Sequence, residues 1–233
     1  MRRQRSPAVW YGLLLLAALA IAAWRLSAGG TSPFPRSLVP PAPRVPLVDA
    51  FARAGVRYPP AEVALLGLKA EKSLEVWAAD GGPWRFITSY PILAASGRAG
   101  PKLREGDRQV PEGVYRIVWL NPHSSFHLSM QLDYPNAFDR RHAREDGRTQ
   151  PGGDIFIHGA AVSIGCLAMG DRAIEELYAL VEKTGLANAR VLIAPHDPRV
   201  RPLPRPLGGA PAWLPELYDL LEAEFAAFRK EAG

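Results

Sequence analysis

Asp154–Asp171 reads DIFIHGAAVSIGCLAMGD. Ile155-Phe156-Ile157 is a short apolar run of the kind that forms a buried strand, and it delivers His158 at its end. Gly159, Ala160 and Ala161 follow, then Ser163, Gly165 and Cys166, the only cysteine of the chain. From Asp171 the spacing becomes helical, with Ile174, Leu177, Tyr178 and Val181 on one face and Asp171 as the expected N-cap. His158 and Cys166 are eight residues apart, so a strand, a tight glycine-containing loop and a return can bring imidazole and thiol side by side. Such a pair is the minimum for thiol nucleophilic catalysis, in which the thiolate attacks and the imidazole takes and returns the proton. A lone cysteine is usually a small buried hydrophobe, and a lone His-Gly a strand end. The functional reading rests on the two together, with two glycines and a serine between or beside them.

The chain has 233 residues, 48% of them hydrophobic, enough for one good core and hardly for two. Its 21 glycines and 23 prolines favour short strands and many turns. A net charge of +5 invites a nucleic-acid reading, and the distribution answers it. Residues 1–25 hold Arg2, Arg3, Arg5 and Arg25 and no acid, so the remainder is nearly neutral and offers no phosphate-binding face.

That basic start precedes an uncharged run from Ser6 to Trp24, almost wholly apolar from Val9 onward. Its length lies between a signal-peptide core and a spanning helix. Flanking arginines and the aromatic rings Trp10, Tyr11 and Trp24 at its ends favour an uncleaved inner-membrane anchor, with a cleaved signal peptide as the alternative. The domain then works outside the cytoplasm. There a single cysteine cannot form an internal disulfide, and an unpaired thiol is a liability unless buried or used. The expected organisation is 1–26 as anchor or signal peptide, 27–46 as a proline-rich spacer and 47–233 as one catalytic domain.

Leu47–Gly55 reads as a short helix. Val63–Lys69, Ser73–Ala79, Trp84–Ser89, Gly113–Leu120, Phe126–Leu132 and Val191–Ala194 read as strands, with Asp80-Gly81-Gly82 as a hairpin turn. The polar block Arg98–Pro111 is expected to be a loop over the site, and the charged stretch Asp139–Arg148 a solvated loop or lid. Leu214–Lys230 is expected to be a closing amphipathic helix. His123, His127, His142 and His196 are scattered without metal-ligand spacing, so no metal is expected, and thiol chemistry needs no organic cofactor.

HGAAVSIGCLAM (His158–Met169) resembles the His-Gly…Ser-x-Gly-Cys signature of the YkuD-type L,D-transpeptidases, bacterial peptidoglycan enzymes. AASGRAGPKLREGDRQVPEGVYRI (Ala94–Ile117) and FHLSMQLDYPNAFDR (Phe126–Arg140) resemble the same family, in particular its YafK-like branch. The resemblance implies an α+β, strand-rich catalytic domain, a β-sandwich with a few helices, placed in the periplasm or cell envelope. It implies acyl transfer on peptidoglycan stem peptides through a thioacyl-enzyme on Cys166. The acceptor would be an amine such as a second stem peptide or a wall-linked lipoprotein. His158 would be the general base, Ser163 would orient the imidazole, and the N–H groups of Gly165 and Cys166 would hold the oxyanion. Gly159, Tyr134, Asn136 and Arg98 would line the substrate site. An imidazolium beside the thiol would lower its pKa and make it reactive near neutrality. Many family members carry an arginine two places after the cysteine; here that residue is Ala168. Its loss leaves hydrolysis by the same dyad, or a non-catalytic peptidoglycan-binding protein, as alternatives.

Overall fold

The computed structural model describes residues 46–204 and 210–230. The apolar segment and the spacer up to residue 45 lie outside the described residues, and no helix among the described residues is long and apolar enough to cross a membrane. The described chain is mixed α and β. Helix α1 (Leu47–Arg53) is followed by β1 (Glu62–Leu68), β2 (Ser73–Ala79), β3 (Arg85–Pro91) and the two-residue β4 (Ala94–Ala95). After a loop come β5 (Gly113–Ser124), β6 (His127–Leu132), α2 (Ala137–Glu145), β7 (Phe156–His158) and β8 (Leu167–Ala168). Helix α3 (Asp171–Thr184), a short 3-10 turn, β9 (Ala189–Ala194) and α4 (Leu214–Phe225) complete it.

Rather than two separate sheets, the strands form one continuous sheet in the order β3-β2-β1-β9-β5-β6-β7-β8-β4. β1 reads EVALLGL, and every residue after Glu62 is buried, because this strand is covered on both faces. Ala64, Leu66 and Leu68 join Leu192, Ala194 and the apolar face of α4 in one core. Val63 and Leu65 face the other way, into a core shared with Met130, Leu132, Ile157 and Leu167 from β6–β8 and with the apolar stripe of α3. Residues from opposite ends of the strand order therefore meet in one core. The approach is close: a Cβ on Gly67 of β1 would lie 3.4 Å from Leu167 Cδ1 of β8.

Three sequence readings are corrected. Asp139–Arg148 is not a loop: most of it is helix α2, capped by Asn136, whose side chain accepts from Asp139 N while Asp139 accepts from Asn136 N. Asp171 is not an N-cap, since Gly170 holds that position; its Oδ1 instead accepts from Ala160 N at 2.8 Å. The closing helix ends at Phe225, not Lys230.

The capping box has a titration consequence. Burial, reinforced by the nearby Asp133, outweighs the Asn136 N–H bond and raises the Asp139 carboxyl to about 6. Because this lies above the unfolded value, the native state binds the extra proton, so the group destabilises the fold as pH rises through about 6. Asp139→Asn keeps an acceptor for Asn136 N and removes the titration. Denaturant unfolding at pH 5 and pH 7 should show the wild type losing about 1 kcal/mol relative to the variant at the higher pH. A pH-independent difference would remove Asp139 as the cause.

Candidate active site

β7 and β8 are parallel neighbours, with Ile157 opposite Leu167 and His158 opposite Ala168. Ile157 and Leu167 point into the core, so alternation puts Phe156, His158 and Ala168 on the other face, and Cys166 directly precedes β8. The histidine thus ends one strand, and the cysteine stands at the entry to its parallel neighbour. The short apolar strand supplies this placement: its buried centre fixes which face the histidine takes.

His158 is buried, and Phe126 lies across its ring at 4.7 Å. Its Nδ1 is 2.6 Å from the Gly159 carbonyl, which can only accept, so Nδ1 carries the proton and Nε2 is left as the basic nitrogen. Gly159 has no room for a side chain: a Cβ would sit 2.5 Å from Phe126 O and 2.8 Å from Asp171 Oδ1. Gly159 N donates to Leu128 O, and Ala160 N to Asp171, so the turn after the histidine is tied to β6 and α3.

Ser163 does not reach the imidazole. Its hydroxyl donates to Cys166 O at 2.6 Å and accepts from Cys166 N at 3.1 Å and Gly165 N at 3.3 Å. Ser96 N adds a third N–H at 3.3 Å from the same oxygen. The orienting bond expected from Ser163 is made by the Gly159 carbonyl, and Ser163 instead organises the loop that carries Cys166. The two N–H groups expected to hold an oxyanion are, in this state, directed at Ser163 Oγ. Gly165, at φ +134°, takes the backbone into a region that side chains disfavour.

Cys166 is half-buried, and its nearest hydrogen-bond partner is the Asp154 carbonyl, at 3.8 Å from Sγ; no hydrogen bond to His158 is present among the described residues. Burial pushes the thiol above its ordinary value, partly offset by the Phe156 N–H, while Asp154 raises it and Lys102 lowers it. Burial likewise holds the His158 imidazole below its ordinary value, against the Gly159 bond. The expected thiolate–imidazolium pair is therefore corrected: the resting site holds a neutral thiol beside a neutral base. Alkylation of Cys166 followed against pH should rise with a midpoint above the free-cysteine value of about 8.5. His158→Ala should leave that midpoint in place. A midpoint near neutrality that depends on His158 would restore the ion pair.

The loop between β4 and β5 borders this site, with Ser96 O accepting from Val110 N and Gln109 O lying 3.6 Å from where a Gly165 Cβ would be. Arg98 is exposed on it, two residues beyond Ser96, and its backbone is held by the Gln109 amide. The Tyr134 hydroxyl donates to Pro151 O and Lys102 O and ties two loops together, and Asn136 caps α2 and donates to Val114 O. Sequence reading missed Lys102, which is buried with its Nζ 2.6 Å from Asp107 Oδ1, because no periodicity marks it.

The family model of the YkuD L,D-transpeptidase catalytic domain matches residues 64–193. The protein described as "Putative L,D-transpeptidase YafK" in Escherichia coli K12 is 37% identical over 115 residues, covering 48% of this chain and 44% of that protein. The chain thus spans less than half the length of that curated relative. Among solved structures, the helical cell shape determining protein Pgp2 from Campylobacter jejuni aligns with a TM-score of 0.47 at 24% identity, over 57% of this chain and 47% of that one. Bd1075 from Bdellovibrio bacteriovorus aligns with a TM-score of 0.42 at 24% identity, over 58% and 48%. With its His-Gly strand end and its Ser-x-Gly-Cys loop inside the matched segment, the chain belongs to the YkuD family of L,D-transpeptidase catalytic domains.

Proposed function

We propose that this protein is a thiol acyl-transfer enzyme of the cell envelope that acts on peptidoglycan stem peptides. The observation that carries the reading is that His158 ends β7 while Cys166 directly precedes the parallel neighbour β8, with Nδ1 of the histidine already engaged. Nε2 takes the proton from Sγ as sulfur attacks the carbonyl of the L-centre of a stem-peptide diamino acid. The tetrahedral intermediate collapses, His158 returns the proton to the leaving amine, and a thioester remains on Cys166. An acceptor amine or water then attacks the thioester, His158 takes its proton, and Sγ–H is restored. An oxyanion held by the N–H groups of Gly165 and Cys166 requires the Ser163 hydroxyl to turn away from them. Residues 9–24 hold the domain at the inner membrane in this reading.

One observation favours a second outcome for the thioester. Ala168 is fully buried where many members carry an arginine, so the cation that would grip a substrate carboxylate beside the thiol is absent. Release to water is the outcome this favours, within the same dyad chemistry. A non-catalytic binding protein has no use for a basic imidazole nitrogen beside a free thiol.

Purified protein incubated with peptidoglycan fragments bearing intact tetrapeptide stems should gain the mass of a stem-derived acyl group. Adding an amine acceptor then separates exchanged products from water-added ones. No adduct and no altered fragment, with bonds and acceptors varied, would reject the catalytic reading.

A further inference from the structure

The face of β5–β8 that carries His158 does not end there. Ser129 of β6 lies opposite His158, and Met130 and Leu132 point into the core, so Ser129, Gln131 and the following Asp133 share the outer face with Phe156 and His158. On β5, Ile117 is in the core and Arg116 and Val118 face outward, both exposed. Trp119, opposite Gln131, is 48% exposed. This strip leads from the thiol to a cavity of about 640 Å³, within the size range of ligand pockets.

The cavity walls are chemically mixed. Trp84 and Phe138 supply aromatic surface, and Arg116, Arg140 and Arg190 supply guanidinium groups against the carboxylates of Glu62 and Asp133. Arg190 is fixed in place: its guanidinium lies 4.9 Å from the Trp84 ring and 5.1 Å from Phe228, and it bonds to Glu224 at 3.0 Å. Among the described residues its Nε has no hydrogen-bond partner. Arg140 bonds to the Pro135 carbonyl and, among the described residues, to no carboxylate. Flat aromatic walls interleaved with guanidinium and carboxylate groups suit a ring with one apolar face and a polar edge.

We propose that this cavity is a saccharide subsite that seats the glycan backbone of the polymer whose stem peptide reaches Cys166. The inference rests on the peptidoglycan reading above. Distance supports it. Asp133 is four residues along β6 from Ser129, the residue opposite the catalytic His158, roughly 13 Å at the rise of a strand. An extended peptide of four residues spans about the same length. A stem attached to a seated glycan can therefore lie along the strip and present its carbonyl to the thiol.

The test uses the full chain in detergent with Cys166→Ala, so that no acyl transfer intervenes, titrated with glycan strands stripped of their peptides. Calorimetry should show saturable binding. Arg116→Glu with Arg140→Glu should weaken it by at least about tenfold through loss of charge-assisted hydrogen bonds, and the paired Lys substitutions should retain most of it. Should the double variant fail to fold, Arg140→Glu alone carries the same test. Absence of glycan binding, or equal binding by the Glu variants, overturns the proposal. So does a free stem tetrapeptide whose binding, in place of the glycan's, is lost in the Glu variants. Thioacylation of wild-type protein by glycan-free stem peptides is measured separately. Its failure would strike the acyl-transfer reading and leave the glycan result standing.

Discussion

Glu112→Ala is expected to cost about 3–5 kcal/mol of stability, the range for stripping one partner from a buried ion pair. The Glu112 side chain is wholly buried and accepts from Lys69 Nζ at 2.9 Å, Gly100 N at 2.7 Å and Tyr218 OH at 2.9 Å. These bonds join the end of β1, the loop bordering the thiol and helix α4 at one carboxylate. Lys69 is itself buried, and burial already lowers its pKa despite the attraction of Glu112. Removing the carboxylate leaves an ammonium in a poorly solvating site, with only the Gly100 and Val110 carbonyls for company. In thermal unfolding, Tm should fall by roughly 10 °C for a chain of this size. Lys69→Met combined with Glu112→Leu should recover only the share due to the stranded ammonium, since Gly100 N and Tyr218 OH stay unpaired. A single-variant effect below about 1 kcal/mol would show that water reaches Lys69 freely.

Cys166→Ala should abolish the acyl adduct and lower turnover on stem-peptide substrates by at least about 1,000-fold, because no other side chain on this face offers a comparable nucleophile. Cys166→Ser should fare little better, since a hydroxyl is far less acidic than a thiol and the neutral imidazole cannot compensate. Stability should stay within about 1 kcal/mol of wild type in both, as the thiol is only half-buried and makes one weak contact. His158→Ala should cost a further-separable 100- to 10,000-fold, roughly the worth of a positioned general base. Turnover surviving in Cys166→Ala, measured by product mass, would place the chemistry elsewhere.

The elements that sequence revealed best are those whose pattern is local. Ile155-Phe156-Ile157 is too short and too uniformly apolar for anything but a covered strand, and the eight-residue step from His158 to Cys166 follows from its parallel return as β8. Helix α2 escaped because its residues are mostly charged and only His142 and Ala143 are buried, so no apolar stripe announces it. The cap Asn136 with Asp139 three places on was the available signal. The role of Ser163 was not legible at all. Which acceptor a serine hydroxyl meets depends on how the loop closes, and Ser96, 67 residues earlier, helps to close this one.

The position of β9 has a consequence for how the protein comes into being. This strand lies in the middle of the sheet, parallel to β1 and antiparallel to β5, yet it is the last strand of the described chain. Val63 finds its partner Ala189 only after more than a hundred intervening residues have been made. Until then β1 and β5 both offer an open edge, and the two halves of the core have no common seam. The chain therefore stays foldable but unfolded through most of its synthesis, and the central pairing forms slowly because of its long loop closure. Truncation before Ala189 would remove the keystone rather than a margin, and a ribosome stalled there would leave two sticky half-sheets exposed to their neighbours.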